Sequence, residues 1–309
     1  MRPLLPLVAL AFLLAPLTPI ALCAPAPSPE EPLTPSAPLA PQTALTPIAR
    51  GDAAFARRAL GHQGGRAAAG PIDEALAAYE QGLRERPEDL DGYWKLLRAL
   101  HFKGEYVAAT REQKQEVFGR GRAVVEKALD LLARRAGGRA RLDKLTAAET
   151  AKALSGVPQA APIYLWGGVD WGLWGDAFGR MAAARQGVGD RLRHYGEIVV
   201  ALDEHLEHAG GHRLLGRLHT LAPKIPFITG WVDRDKAVTE LRRAVELGPA
   251  DPTNHVYLAE ALLEHHPDRH AEAVEILRRM AARQPSPERV VEEEKILAEG
   301  RALLAQQRK

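Results

Sequence analysis

From residue 71 almost to the C-terminus, apolar positions return at three- and four-residue steps with polar residues between them. That is the period of amphipathic helices. Helix boundaries are marked along the way. Pro71 stands at the first helical position of PIDEALAAYEQGLRER, where the missing N–H costs nothing. Thr146 and Glu149 form a capping box ahead of a short helix stopped by Gly156. Asp251-Pro252 and Ser286-Pro287 each place a capping residue before a first-turn proline. The central stretches 119–136, 190–208 and 212–221 also read as helices, with Gly210-Gly211 as a break between the last two.

A repeat runs through this pattern. Ala75, Tyr79, Gly82 and Pro87 recur at the same offsets as Ala237, Leu241, Ala244 and Pro249, and as Ala273, Leu277, Met280 and Pro285. A small residue admits a partner helix, a larger apolar one fills the groove and a proline ends the helix: the second-helix signature of a tetratricopeptide (TPR) repeat. Tyr93-Trp94 with Leu96-Leu97, and Tyr257-Leu258-Ala259 with Leu262, follow as the next first helices. The expected fold class is all-α, a TPR-like array of helical hairpins (an α-solenoid) with an irregular central region.

Composition agrees. Hydrophobic residues are 46% and charged residues 26%, with aromatics at only 6%, a helix-forming mixture that excludes a β-sandwich or barrel. The formal charge of +2 gives no reason to expect nucleic acid as a partner. One cysteine excludes a disulfide framework and Cys-rich zinc modules.

The first residues read as an export signal. Arg2 is followed by the apolar run Leu7–Ala15 and then by Ala21-Leu22-Cys23-Ala24. Nine apolar residues span only ~14 Å as a helix, too short to anchor in a bilayer. Two processing readings stand: cleavage after Cys23, or lipidation of Cys23 as the first residue of a lipoprotein, for which Leu22 is a poor fit. Residues 24–50, with eight prolines between Ala24 and Pro47, read as a disordered tether. Residues 51–309 read as a single helical domain. The expected location is the periplasm or cell envelope, with membrane contact only through an N-terminal lipid.

The irregular centre holds the candidate site. Tyr164, Trp166, Trp171 and Trp174 crowd one segment, and Trp171, Trp174 and Phe178 share a helical face. That face is either a core plug between hairpins or the wall of a ligand pocket, with the neighbouring glycines allowing close approach. Asp170 reads as an N-cap rather than an acid catalyst. His205, His208, His212 and His219 lie close in sequence, but without HExxH spacing or a cysteine ligand no metal or other cofactor is expected. The apolar segment Pro223–Trp231 either tucks into the array or faces a partner. No nucleophile elbow, phosphate loop or CxxC is present, so no catalytic residue is assigned.

The runs SGVPQAAPIYLWGGVDWG, ALDEHLEHAGGHRLLGRLHTLAP and DRDKAVTELRRAVEL, with the helix pair that follows, resemble the T component associated with tripartite ATP-independent periplasmic (TRAP) transporters, the TatT family, over about residues 71–283. The resemblance implies an exported, often lipid-anchored protein of degenerate TPR hairpins. Such a protein works beside a periplasmic solute-binding protein, with a hydrophobic small molecule as candidate ligand and no enzymatic activity. It also implies that His212 and Arg213 belong to the family's histidine-containing turn. Where the family has a glycine-rich turn, ITGWVD stands here. The competing reading is a general envelope scaffold for protein assembly; self-association is open in both.

Overall fold

Thr46 Oγ1 accepts a hydrogen bond from the Ala49 amide and Pro47 occupies the first helical position. The first helix, α1 (Pro47–Ala56), therefore starts inside the stretch read as tether, and the packed region begins at residue 47 instead of 51. The computed structural model describes residues 45–225 and 229–307. The candidate signal, Cys23 and most of the tether lie outside them.

Two hairpin helices follow, α2 (Ala69–Glu85) and α3 (Leu90–Phe102), and α3 runs into a π-helical turn, Lys103–Val107. Helix α2 begins two residues before Pro71, which sits third in the helix. The centre comprises α4 (Arg111–Arg135), α5 (Arg139–Leu142), α6 (Ala147–Leu154), α7 (Ala160–Phe178), α8 (Arg180–Arg185), α9 (Val188–Leu202) and α10 (Leu206–Leu221). The chain closes with α11 (Arg234–Leu247), α12 (Pro252–His265), α13 (His270–Ala281) and α14 (Val290–Gln306). Among the described residues the structure is all-α, with one isolated bridge, Gln63 to Arg66, and no strand.

The repeat positions do what their sizes suggest. Ala75, Tyr79, Ala237, Leu241, Ala244, Ala273 and Leu277 are all fully buried. Prolines 87, 249 and 285 each follow the end of their helix. The capping box at Thr146 and Glu149 is formed, and a second one, Thr110 with Gln113, starts α4 eight residues before the predicted helix. Asp251 caps α12. Ser286 caps through no backbone contact of its side chain; its amide and hydroxyl both donate to Glu293, which is buried seven residues on.

Most consecutive helices pack on one another, α6 packing instead on α9, but the last helix also returns to the first hairpin. Arg58 Nε donates to Glu292 at 2.8 Å, Arg58 Nη2 donates to the Glu288 carbonyl at 2.7 Å, and Val291 belongs to the same core as Phe55 and Phe102. A simple stack, in which each hairpin touches only its neighbours, has no such contact. A second core joins α11 to α14 through Leu241, Val256, Leu262, Leu277 and Leu297.

The break in the centre differs from the glycine break expected at 210–211. Helix α9 ends at Leu202, and the turn falls on Glu207, His208 and Ala209, with φ of 49°, 56° and 64°. Three successive non-glycine residues thus hold a left-handed conformation, at about 1–2 kcal/mol each. The two glycines are helical. They are small because their neighbours are close: a β-carbon at 210 would stand 2.8 Å from Leu165, and one at 211 would stand 2.9 Å from Val199. The strain therefore falls on the residues just before them. The turn also separates His205 from His208, which share no helical face.

Candidate functional site

The residues singled out in the sequence do not converge on one opening. Trp171 and Trp174 are buried, 2% and 6% exposed, and pack edge to face with centroids 5.7 Å apart. Phe178 stacks on Trp174 at 4.6 Å and is more than a third exposed. This face is core for most of its length. The glycines of α7 serve helix packing: a β-carbon at 167 would meet Val125, and one at 168 would meet Leu214. Tyr164 packs edge-on against Tyr195 and lines a cleft of about 340 Å³ between α4, α5, α7 and α9; none of the other six predicted residues lines that cleft.

His212 and Arg213 lie on α10, beside the left-handed turn. His212 Nδ1 is 2.7 Å from Glu240 Oε2, and its Nε2 is buried without a hydrogen-bond partner. Arg213 holds the turn itself, donating to the carbonyls of Glu207 at 3.0 Å and His208 at 3.3 Å, and to Asn254 Oδ1 at 2.9 Å. Asn254 Nδ2 donates to the same His208 carbonyl at 3.0 Å. Asp251 completes the network, pairing with Arg213 at 3.3 Å and Arg289 at 2.8 Å. Burial opposes charge on Asp251, yet the two guanidinium groups hold its carboxyl well below the usual carboxylate range. Arg213 is therefore a brace for strained backbone, while His212 ties α10 to α11 through Glu240.

Asp170 lies in the middle of α7, fully buried, with neither carboxylate oxygen hydrogen-bonded. It is not an N-cap. Burial raises its pKa well above the ordinary value, so the folded protein favours the neutral acid.

Trp166 faces elsewhere, and it leads to a set of residues that the sequence does not single out. Its ring lies 5.2 Å from that of His101 on α3. Around them converge Glu105 and Tyr106 from the π turn, Arg217 from α10, Tyr257 from α12 and Lys295 from α14. Lys295 Nζ bonds Glu105 at 2.7 Å and Glu299 at 2.6 Å. Arg217 lies 4.2 Å over the Tyr257 ring and pairs with Glu260 at 2.5 Å. His101, Tyr106 and Tyr257 are enclosed by protein yet keep part of their surface open to solvent.

The electrostatics agree with such an enclosure. Burial pushes His101 down to about 4; Glu105 opposes this, and the charges of Lys295, Arg213 and Arg289 add to it. Burial likewise raises Asp176 and Tyr257, with Arg217 opposing in both cases. His101 Nδ1 and Trp166 Nε1 are buried polar atoms with no protein partner among the described residues. A buried nitrogen left unpaired is costly, and these two sit on rings tilted 37° to one another.

The π turn brings Glu105 and Tyr106 to this cluster, where Glu105 pairs with Lys295 and Tyr106 packs edge-on against His101, and it is pinned by Arg66, which donates to the carbonyls of Val107 and Ala108. The only sequence signal for the cluster is polar residues embedded in apolar runs, such as His101 between Leu100 and Phe102 and Lys295 beside Ile296 and Leu297.

Among the described residues no cluster of three His, Cys, Asp or Glu side chains is placed to hold a metal, and no helix is long and apolar enough to cross a membrane. The ends of the Pro223–Trp231 segment are described. Ile225 is exposed, while Trp231 packs edge-on against His219 at 5.5 Å, beneath Arg193. No family model matches the chain, and no curated protein matches it.

Proposed function

We propose that this is an exported, non-catalytic helical-repeat protein that acts as the T component of a TRAP-type uptake system. It docks the periplasmic solute-binding protein and holds an amphipathic solute beside Trp166. The observation that carries the reading is the side-chain cluster around Trp166. Aromatic faces (Trp166, Tyr106, Tyr257) stand next to fixed charges and unpaired ring nitrogens, the mixture that accommodates a molecule with an apolar body and a few polar groups. The resemblance in three segments gives it further support, because those segments fall on α7, α10 and α11, which succeed one another through direct packing of α10 on both α7 and α11.

Titration calorimetry of the full chain against purified solute-binding proteins of TRAP systems tests docking; the expected affinity is about micromolar. Tryptophan emission during titration with amphipathic solutes tests solute binding beside Trp166, and Trp166→Phe is expected to remove the response. Failure of every solute-binding protein to bind overturns the assignment. A mass spectrum of the mature N-terminus decides between removal and lipidation of Cys23.

A further inference from the structure

None of the residues clustered around Trp166 lines the cleft beside Tyr164, and the arginines next to that cleft have no role in the reading above. Its apolar wall is Leu129, Leu142 and Tyr164; its polar wall includes Gln186 and Arg191. Behind that wall Trp171 carries two guanidinium groups against its indole: Arg122 Cζ lies 4.1 Å from the ring centroid and Arg191 Cζ lies 4.4 Å from it.

These two cations are under-neutralised in a region where other charges are well matched. Arg139, also on the cleft, is saturated by Glu126, Asp130 and Asp143 at 2.8–2.9 Å. Asp190, at the cleft edge, lies 3.4 Å from Arg193. Arg122, by contrast, pairs with no carboxylate among the described residues. Its one side-chain hydrogen bond runs 3.3 Å to Gln186 Oε1. Arg191 has only long contacts, 3.3 Å to the Tyr195 hydroxyl and 3.5 Å to Glu126, a carboxylate already committed to Arg139. The Nε atoms of both arginines are buried and unpartnered. Burial and the charge of Arg191 both disfavour the cationic form of Arg122.

A guanidinium is a planar fork that matches an oxyanion, and two of them left short of carboxylate beside an open cleft form an arrangement that an anion stabilises. Stacking on Trp171 fixes their planes. We propose that Arg122 and Arg191 form a subsite for the anionic group of a small solute, a carboxylate or a phosphate monoester, which takes the place of the Gln186 contact while the apolar part of the solute lies against Leu129, Leu142 and Tyr164. The volume of about 340 Å³ suits one ring bearing one charged group.

Calorimetry and tryptophan emission of the full chain, titrated with benzoate, phenyl phosphate and benzyl alcohol, test this. Binding of either anion at about millimolar affinity is expected, with no response to the uncharged alcohol. The stronger of the two anions identifies the headgroup. Arg122→Gln and Arg191→Gln are each expected to weaken the anion by about tenfold or more, the loss of a charge-assisted hydrogen bond. Lysine at either position keeps the charge without the fork and should fall between. If Arg122→Gln does not fold, Arg191→Gln and the salt dependence of the wild-type protein carry the test, since anion affinity must drop as ionic strength rises. The proposal is overturned if neither anion binds, if benzyl alcohol binds as well as benzoate, or if the glutamine variants bind like wild type. The last outcome would make the arginine stack a structural clamp of α4, α7 and α9. None of these results bears on docking of a solute-binding protein, so this subsite and the proposed function fail separately.

Discussion

Gly248 passes beneath the carbonyl of His208 so closely that a β-carbon at 248 would stand 2.5 Å from that oxygen. The contact joins the end of α11 to the left-handed turn, and it involves backbone on the His208 side, which cannot rotate away. Gly248→Ala is therefore expected to destabilise the protein by about 1–3 kcal/mol, in the manner of an overpacked site. Urea unfolding checks it: the midpoint should fall with little change in slope.

The turn itself offers the opposite experiment. His208 is exposed and has a φ of 56°, so its side chain adds little packing and imposes left-handed strain. Glycine adopts this conformation freely, although it also gains entropy in the unfolded chain. His208→Gly is expected to stabilise the fold by roughly 0.5–1 kcal/mol, measured by thermal or urea unfolding. A loss of stability would mean that the imidazole contributes more than its exposure indicates.

Asp170 gives a prediction in pH. Its pKa is raised in the folded state, so folding takes up a proton once the pH exceeds the unfolded value of about 3.9. The Asp170 contribution to stability is then greatest below that pH and declines as pH rises toward the folded pKa. Asp170→Asn removes the titration. The variant should gain stability relative to wild type on going from pH 4 to pH 7, and the dependence should vanish below about pH 4. Parallel urea curves at these pH values are the measurement.

His101 works in the other direction. Its folded pKa is lowered to about 4, so its contribution to stability is complete above the unfolded value of ~6.5 and is lost as pH falls toward 4. The full loss is on the order of 3 kcal/mol. His101→Gln is expected to flatten the acid limb between these two pH values, while leaving the neutral-pH fold recognisable by circular dichroism.

The parts of this molecule that depend on neighbours in sequence were legible, and those that depend on partners far away were not. Ala75 and Tyr79, or Ala237 and Leu241, announce a hairpin because one helix turn relates them and burial follows from size. The Trp171–Trp174–Phe178 face was equally visible as a face. Its place in the core was not, because Arg122, far off on α4, and Arg191 on α9 decide what lies against those rings. The cluster around Trp166 draws residues from five helices and the π turn, so no local window contains it. Gly210-Gly211 did mark a break, but glycine signals either a turn or a tight contact; here Leu165 and Val199 take the space, and the turn moves to Glu207–Ala209.

The Arg58–Glu292 pair spans 234 positions of the chain, with Val291 set among the residues of the opening helices. Modular helical proteins often melt piecemeal from their ends, each unit lending support only to the next. Here α1 and α14 brace each other, so fraying of one exposes the other. Loss of α14 would uncover α1 as well as its own hairpin. A nascent polypeptide cannot complete this buttress until its last helix has been synthesised, which makes the final seventeen-residue element a requirement for the first.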